Sequence, residues 1–184
     1  KTRKWFWGLI EEEMIYAIGD IHGQLKQLNR AISLIEADGG SNAEIVFLGD
    51  YTDRGLESRG VIERLLEGKN NSKPWHFLKG NHDRMFSWYL KSQPIHDPHL
   101  FHGLHWLHPR MGGATTLLSY GITLDDTRRS GEIHAEARKK IPETHLNFLN
   151  SLDLMYRTSD LAFVHAGIRP GVPLESQVEN DLLW

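Results

Sequence analysis

The sequence contains no cysteine, which removes disulfides, thiolate metal ligands and a cysteine nucleophile and leaves the redox compartment open. No apolar run approaches the ~20 residues that a membrane-spanning helix requires. The start "KTRKWFWGLIEEE" lacks the small-residue cleavage site of a signal peptide, so a cytoplasmic address is the default expectation and no membrane partner is expected. Excess basic charge is missing too. With 21 Lys and Arg against 24 Asp and Glu, the net charge is -3, and charge alone suggests no nucleic-acid partner. Position 1 is not Met, and residues are expected upstream of it. What is present, 184 residues of which 40% are hydrophobic, suffices for one well-buried core. The expected organisation is an N-terminal arm over 1–13 and one domain over 14–184. The aromatic cluster Trp5, Phe6 and Trp7 of the arm is expected to pack onto its own domain.

Four short runs, "MIYAI" (14–18), "EIVFL" (44–48), "WHFLK" (75–79) and "LAFVH" (161–165), are apolar, β-branched or aromatic, and each is predicted to form a buried strand. Between the first two, Leu25, Leu28, Ile32 and Ile35 recur at helical spacing; between the next two, Val61, Ile62, Leu65 and Leu66 do the same. The pattern is β-α-β-α-β, and the fold class is α/β. Further helices are predicted at "EIHAEARKK" and "PETHLNFLNSL", with Pro142 in a first turn. Residues 92–113 are the least regular and are expected to form a cap or loop beside the site. Within them His99, His102, His105 and His108 recur every third residue. On a helix that step drifts by about 60° per repeat, so the four share no face and are expected to be ordinary surface histidines.

Each predicted strand runs into a charged loop: "GDIHG", "GDYTDRG", "GNHD" and "HAG". Ligand sites in open α/β sheets lie beyond the carboxyl ends of the strands, so these loops are expected to converge on one rim. That rim collects Asp20, His22, Asp50, Asp53, Asn81, His82 and His165. Carboxylates crowded together push one another toward protonation unless cations intervene. A set of carboxylate, imidazole and amide oxygen without sulfur favours Mn, Fe or Zn. Asp20 and His22, one residue apart, point the same way in an extended loop and can chelate one ion, with Asp50 able to bridge to a second. If "GNHD" is extended, Asn81 and His82 point oppositely, one toward metal and the other toward substrate.

"GDIHG", "GDYTDRG", "GNHD" and "FVHAG", in this order and spacing, resemble the motifs of metallophosphoesterases, specifically the phosphoprotein phosphatase family. The chain is most similar to the bacterial serine/threonine protein phosphatase-like members, with symmetrical diadenosine tetraphosphate hydrolases as near relatives. The resemblance implies a β-sandwich flanked by helices, incomplete at its C-terminal end in this sequence, with a second sheet that periodicity does not reveal. It implies a phosphoric ester hydrolase using two divalent ions, with Mn expected and Fe or Zn as alternatives. By motif, Asp20 and His22 would bind the first ion, Asp50 would bridge, and Asn81 and His165 would bind the second. Arg54 would clamp phosphoryl oxygens, and His82, oriented by Asp53, would be the general acid while a metal-bridging hydroxide attacks phosphorus in line. The expected substrate is a phosphorylated protein or a small phosphoester. The alternatives are a nucleoside polyphosphate, for which Trp88, Tyr89 or Trp106 would have to stack a base, and an inactive metal-binding interaction module. The family pattern continues with a further His, but no His follows His165 here. A missing segment is expected to carry it, with Arg169 a candidate second anion contact.

Overall fold

The computed structural model describes residues 14–125 and 127–184; the expected packing of the 1–13 arm falls outside the described residues. Three strands, β1 (Ile15–Ile18), β2 (Glu44–Phe47) and β3 (Trp75–Phe77), form a parallel sheet in the order β1-β2-β3. Ile15 pairs with Glu44 and Ile45 with Trp75. Parallel neighbours need long crossovers, and two helices supply them: α1 (Leu25–Gly39) and α2 (Ser58–Asn70). Their apolar stripes are those predicted, with Leu28, Ile32, Val61, Ile62 and Leu65 all buried. Central β2 is covered on both faces, so Ile45, Val46 and Phe47 are all 0% exposed. That is why "EIVFL" shows no alternation of apolar and polar residues.

The fourth predicted strand is placed differently. β4 (Tyr156–Arg157) and β5 (Ala162–Phe163) form a separate antiparallel pair, the second sheet that the resemblance implied. A turn over Thr158–Leu161 joins them, closed by the Thr158 amide on the Leu161 carbonyl at 2.9 Å. β5 is not buried as its apolar run suggested: Leu161 is 53% exposed and Ala162 is exposed. The bridge between Leu78 and Asp153 ties the segment before β4 to the end of β3.

Helices α5 (Ser130–Lys140) and α6 (Glu143–Asn150) lie where their period placed them. Pro142 caps α6 with an extended backbone rather than entering its first turn. Three helices were not foreseen: α3 (Asn81–Tyr89), α4 (Gly113–Ser119) and α7 (Glu179–Leu183). The condition of an extended "GNHD" is therefore not met. Asn81 and His82 begin a helix, where successive side chains diverge by about 100° rather than pointing oppositely. Residues 92–112 carry no regular helix or strand, and they lean on the site through Trp106.

Candidate active site

The loops after β1, β2 and β3 are pinned to one another through the backbone. The amides of Ile21 and His22 donate to the Asp50 carbonyl at 3.1 and 2.8 Å, and Gly55 donates to the His22 carbonyl at 3.0 Å. Gly49, at φ 101°, and Gly80 lie back to back. A Cβ on Gly49 would meet the Gly80 backbone, and one on Gly80 would meet the amide and carboxylate of Asp50. His22, Asp50, Asp53 and Arg54 hold φ of 43°, 55°, 72° and 64°. The left-handed region costs L-residues about 1–2 kcal/mol each. Four such residues cost on the order of what Ile45, Val46 and Phe47 contribute by burial, at about 1.5–3 kcal/mol each. Strain of that size persists only where its surroundings over-determine it, and it concentrates at functional sites.

The strain aims a cluster. Asp50 is 3% exposed, and its two carboxylate oxygens face different imidazoles: Oδ2 is 3.6 Å from His22 Nε2 and Oδ1 is 3.6 Å from His165 Nε2. Asp20 Oδ2 stands 3.7 Å from the same His22 nitrogen. Both rings are held from behind, His22 Nδ1 by the Thr52 carbonyl and His165 Nδ1 by the Leu48 carbonyl, each at 2.8 Å. A carbonyl only accepts, so Nδ1 carries the proton and, in a neutral ring, the Nε2 lone pair faces carboxylate. Burial lowers the His22 pKa and outweighs the raising effects of the Thr52 hydrogen bond and the Asp50 charge. The ring is therefore neutral, and its approach to Asp20 and Asp50 is not an ion pair. His22 Nε2 is buried without a hydrogen-bond partner among the described residues. Two groupings of possible metal-ligand atoms result, Asp20, Asp50 and His165, and His22, Asp50 and His82, each within 4.8 Å.

His82, 2% exposed, is engaged at both nitrogens. Nδ1 is 2.7 Å from Asp53 Oδ2, and Nε2 is 3.2 Å from Arg54 Nη2. A guanidinium only donates, so Nε2 accepts and Nδ1–H donates to Asp53. Fully buried Asp53 is itself held: its carboxylate accepts Trp106 Nε1–H at 2.8 Å and Thr116 Oγ1–H at 2.7 Å. Thr116 Oγ1 in turn accepts the Asp53 amide at 2.8 Å.

Asp83, 1% exposed, ties the second loop to the third by accepting from the amides of Asp50 (2.8 Å), Gly80 (2.9 Å) and Tyr51 (3.0 Å). Burial first, and then the charge of Asp50, push its pKa well up, while the three amides oppose the rise.

Of the residues predicted from sequence, Asp20, His22, Asp50, Asp53, Arg54, His82 and His165 come together, and Asn81 opens the helix that carries His82. Arg169 is engaged elsewhere, 2.6 Å from Asp181. None of His99, His102, His105 and His108 enters a three-ligand grouping among the described residues. Sequence reading missed Asp83 and Thr116, and it named Trp106 only as a candidate for stacking a base. Asp83 stood inside the quoted "GNHD" motif; Trp106 and Thr116 carry no local signal of their contact with Asp53, which is 53 and 63 positions away.

The profile of the calcineurin-like phosphoesterase family matches residues 14–180. A Caenorhabditis elegans protein, provisionally named a serine/threonine-protein phosphatase, is 33% identical over 88 residues, 45% of this chain and 24% of that protein. A solved structure provisionally named a diadenosine tetraphosphatase shares the fold, with TM-score 0.54 at 22% identity over 91% of this chain and 56% of the other. A serine/threonine phosphatase from Saccharomyces cerevisiae with similarity to human phosphatase PP5 has TM-score 0.49 at 17% identity, over 92% of this chain and 48% of the other. The chain thus spans about a quarter of the curated relative and about half of these structures. Since the matched span covers the sheet, the crossover helices and the whole charged cluster, the chain belongs to the calcineurin-like phosphoesterase family.

Proposed function

We propose that this domain is a dinuclear-metal-dependent phosphoester hydrolase acting on phosphorylated serine or threonine in proteins. The observation that carries the reading is the double-faced Asp50, with one oxygen toward His22 and the other toward His165. Neutral imidazole lone pairs aimed at carboxylates repel them unless a cation sits between, and the orphaned His22 Nε2 is the sign of such a gap. The donor set of oxygen and imidazole nitrogen fits Mn, Fe or Zn. Asp20, His22 and Asp50 would hold one cation, and Asp50, Asn81 and His165 the other. When bound, the pair supplies Lewis acidity that lowers the pKa of water and neutralises charge on the phosphoryl group.

The remaining side chains have separate tasks in this reading. Arg54 grips nonbridging phosphoryl oxygens with its planar fork. A bound phosphoryl group draws the guanidinium off His82 Nε2, which takes up a proton from water and gives it to the leaving oxygen. Asp53, fixed by Trp106 and Thr116, keeps the His82 ring aligned by accepting from its Nδ1–H. We assign His82 this role rather than metal ligation because Asp53 and Arg54 engage both of its nitrogens.

The protein reading is favoured over a nucleotide one because the aromatics that would stack a base are covered. Trp106 is stacked on Phe86 at 5.2 Å and contacted by Tyr89 at 4.7 Å. Trp88 carries the cations of Arg84 and Lys91 over its ring, at 4.7 and 5.6 Å. The test is hydrolysis of a phosphothreonine peptide and of diadenosine tetraphosphate by the Mn-loaded protein, before and after chelation. Manganese-dependent turnover of the peptide alone supports the proposal. Preference for the dinucleotide overturns the substrate class, and full turnover after rigorous chelation overturns the metal reading.

A further inference from the structure

Asp53 and Arg54 are consecutive residues in the left-handed region, with φ of 72° and 64°, and the start of α4 touches both. The carbonyl of Gly112, its N-cap, accepts the Arg54 amide at 3.3 Å. One turn on, buried Thr116 reaches Asp53 at two points: Oγ1 accepts the Asp53 amide at 2.8 Å and donates to Asp53 Oδ1 at 2.7 Å. A single hydroxyl thus fixes the backbone and the carboxylate of the same residue. A second hydroxyl backs it. Ser58 opens α2 and is 0% exposed, and its Oγ stands 3.2 Å from the Asp53 amide and 3.1 Å from Thr116 Oγ1. Each hydroxyl has one proton to give. Thr116 gives its own to the carboxylate, so the proton between the two hydroxyls belongs to Ser58. The donors therefore run in one direction, from Ser58 to Thr116 to Asp53 Oδ1, while Oδ2 takes His82 Nδ1–H and the Trp106 indole. Every member of this chain is buried, and there aligned hydrogen bonds polarise one another.

We propose that Ser58 and Thr116 are positioning residues for the acid step, an inference that rests on the hydrolysis proposed above. Without the Thr116 proton, Oδ1 loses that donor and the carboxylate is free to turn about its Cβ–Cγ bond. Oδ2 then no longer holds the His82 ring toward the leaving oxygen. Arg54 keeps its amide on Gly112, so the anion contact is spared.

Thr116→Val preserves the shape of the side chain and deletes the hydroxyl, and Thr116→Ser restores the hydroxyl on a smaller side chain. In the Mn-loaded full chain, Thr116→Val should lower kcat for an alkyl phosphate roughly ten-fold, the effect of one hydrogen bond to a charged group. Turnover of para-nitrophenyl phosphate, whose leaving oxygen needs no proton, should fall far less. KM and inhibition by inorganic phosphate should stay at the parent's values. Thr116→Ser should recover most of the loss. Ser58→Ala, which removes only the outer donor, should show the same leaving-group pattern at roughly two- to three-fold. Equal losses on the two esters, or a serine variant as slow as the valine one, overturn the positioning role. A second readout needs no turnover: the His82 Nδ1–H signal in the NMR spectrum of the chelated full chain, identified by its absence from His82→Asn. It should be sharp in the parent and in Thr116→Ser, and broadened by exchange with water in Thr116→Val. An equally sharp signal in Thr116→Val overturns the inference. A parent that turns over neither ester refutes the hydrolysis and with it the acid step, while the imidazole signal separately decides whether the hydroxyls hold the ring.

Discussion

His82 sits between an anion and a cation, Asp53 at Nδ1 and Arg54 at Nε2, and its chemistry depends on which neighbour releases it. With the acid role proposed above, His82→Asn lowers kcat by about 10²- to 10⁴-fold for alkyl phosphates, whose leaving oxygen needs a proton, and far less for para-nitrophenyl phosphate. Steady-state rates on both esters decide the matter, and equal losses would refute general acid catalysis. Trp106 acts on that proton at one remove. Trp106→Phe keeps an aromatic ring at the position and deletes the donor to Asp53, so kcat should fall about ten-fold, with the same dependence on leaving group and unchanged affinity for Mn. A loss shared by all esters would mark the change as structural. Outside the site, buried His145 pairs Nδ1 with the Tyr120 hydroxyl at 2.8 Å, and burial lowers its pKa. A depressed histidine stabilises the fold above its unfolded value, about 6.5. That stability is lost as pH falls toward the folded pKa, at no more than about 1.4 kcal/mol per pH unit. His145→Gln cannot titrate, so its urea stability should fall less than the parent's between pH 7.5 and 5.5; parallel losses would remove His145 as the source.

At the scale of elements, the decisive one is α3. Its first turn carries His82 toward Asp53 and presents Asp83 to three amides in two different loops. Asp83→Ala strands all three buried N–H groups, and at about 1–3 kcal/mol per unsatisfied group the loss should be about 3 kcal/mol or more. Asp83→Asn retains one acceptor oxygen and should lose less. Urea denaturation of both variants checks the order, and an alanine variant as stable as the parent would mean that the amides find other partners. The loops themselves are short because β2 and its neighbours deliver them side by side. Gly49 and Gly80 then let two backbones approach where any Cβ would force them apart.

For the whole molecule, the proposed cation sites would be thermodynamically linked to the fold. Ions that bind the folded cluster and not the unfolded chain stabilise it by about 2.7 kcal/mol at a hundred-fold excess over Kd. For a domain of this length that is a rise in Tm of roughly 5–10 °C on adding Mn to chelated protein. Asp50→Asn weakens both sites together in the proposed arrangement, so the rise should largely vanish. A variant that retains the parent's shift and the parent's Mn stoichiometry would rule out the shared ligand.

The sequence alone determined the elements whose signals are local. The periods of α1, α2, α5 and α6 and the apolar runs of β1, β2 and β3 could be read directly, because each side chain in them is buried by neighbours at fixed spacing in the chain. The charged residues of the site were legible for a related reason. Asp20, His22, Asp50, Asp53 and His82 sit just beyond predicted strands and His165 ends one, in motifs that few other constraints would produce. Tertiary structure decided the rest. "LAFVH" scores as a buried strand, yet its partner is β4 rather than the central sheet, and pairing across a chain turn leaves no trace in local hydropathy. "GNHD" starts a helix whose first turn is closed by the Gly80 amide on Asp83, and only the fold shows that Asp83 also accepts from amides in a loop more than 30 positions away. Trp106 and Thr116 became part of the site only when folding brought them to Asp53. Hydrogen bonds across such separations depend on distance in space, and no spacing rule along the chain encodes them.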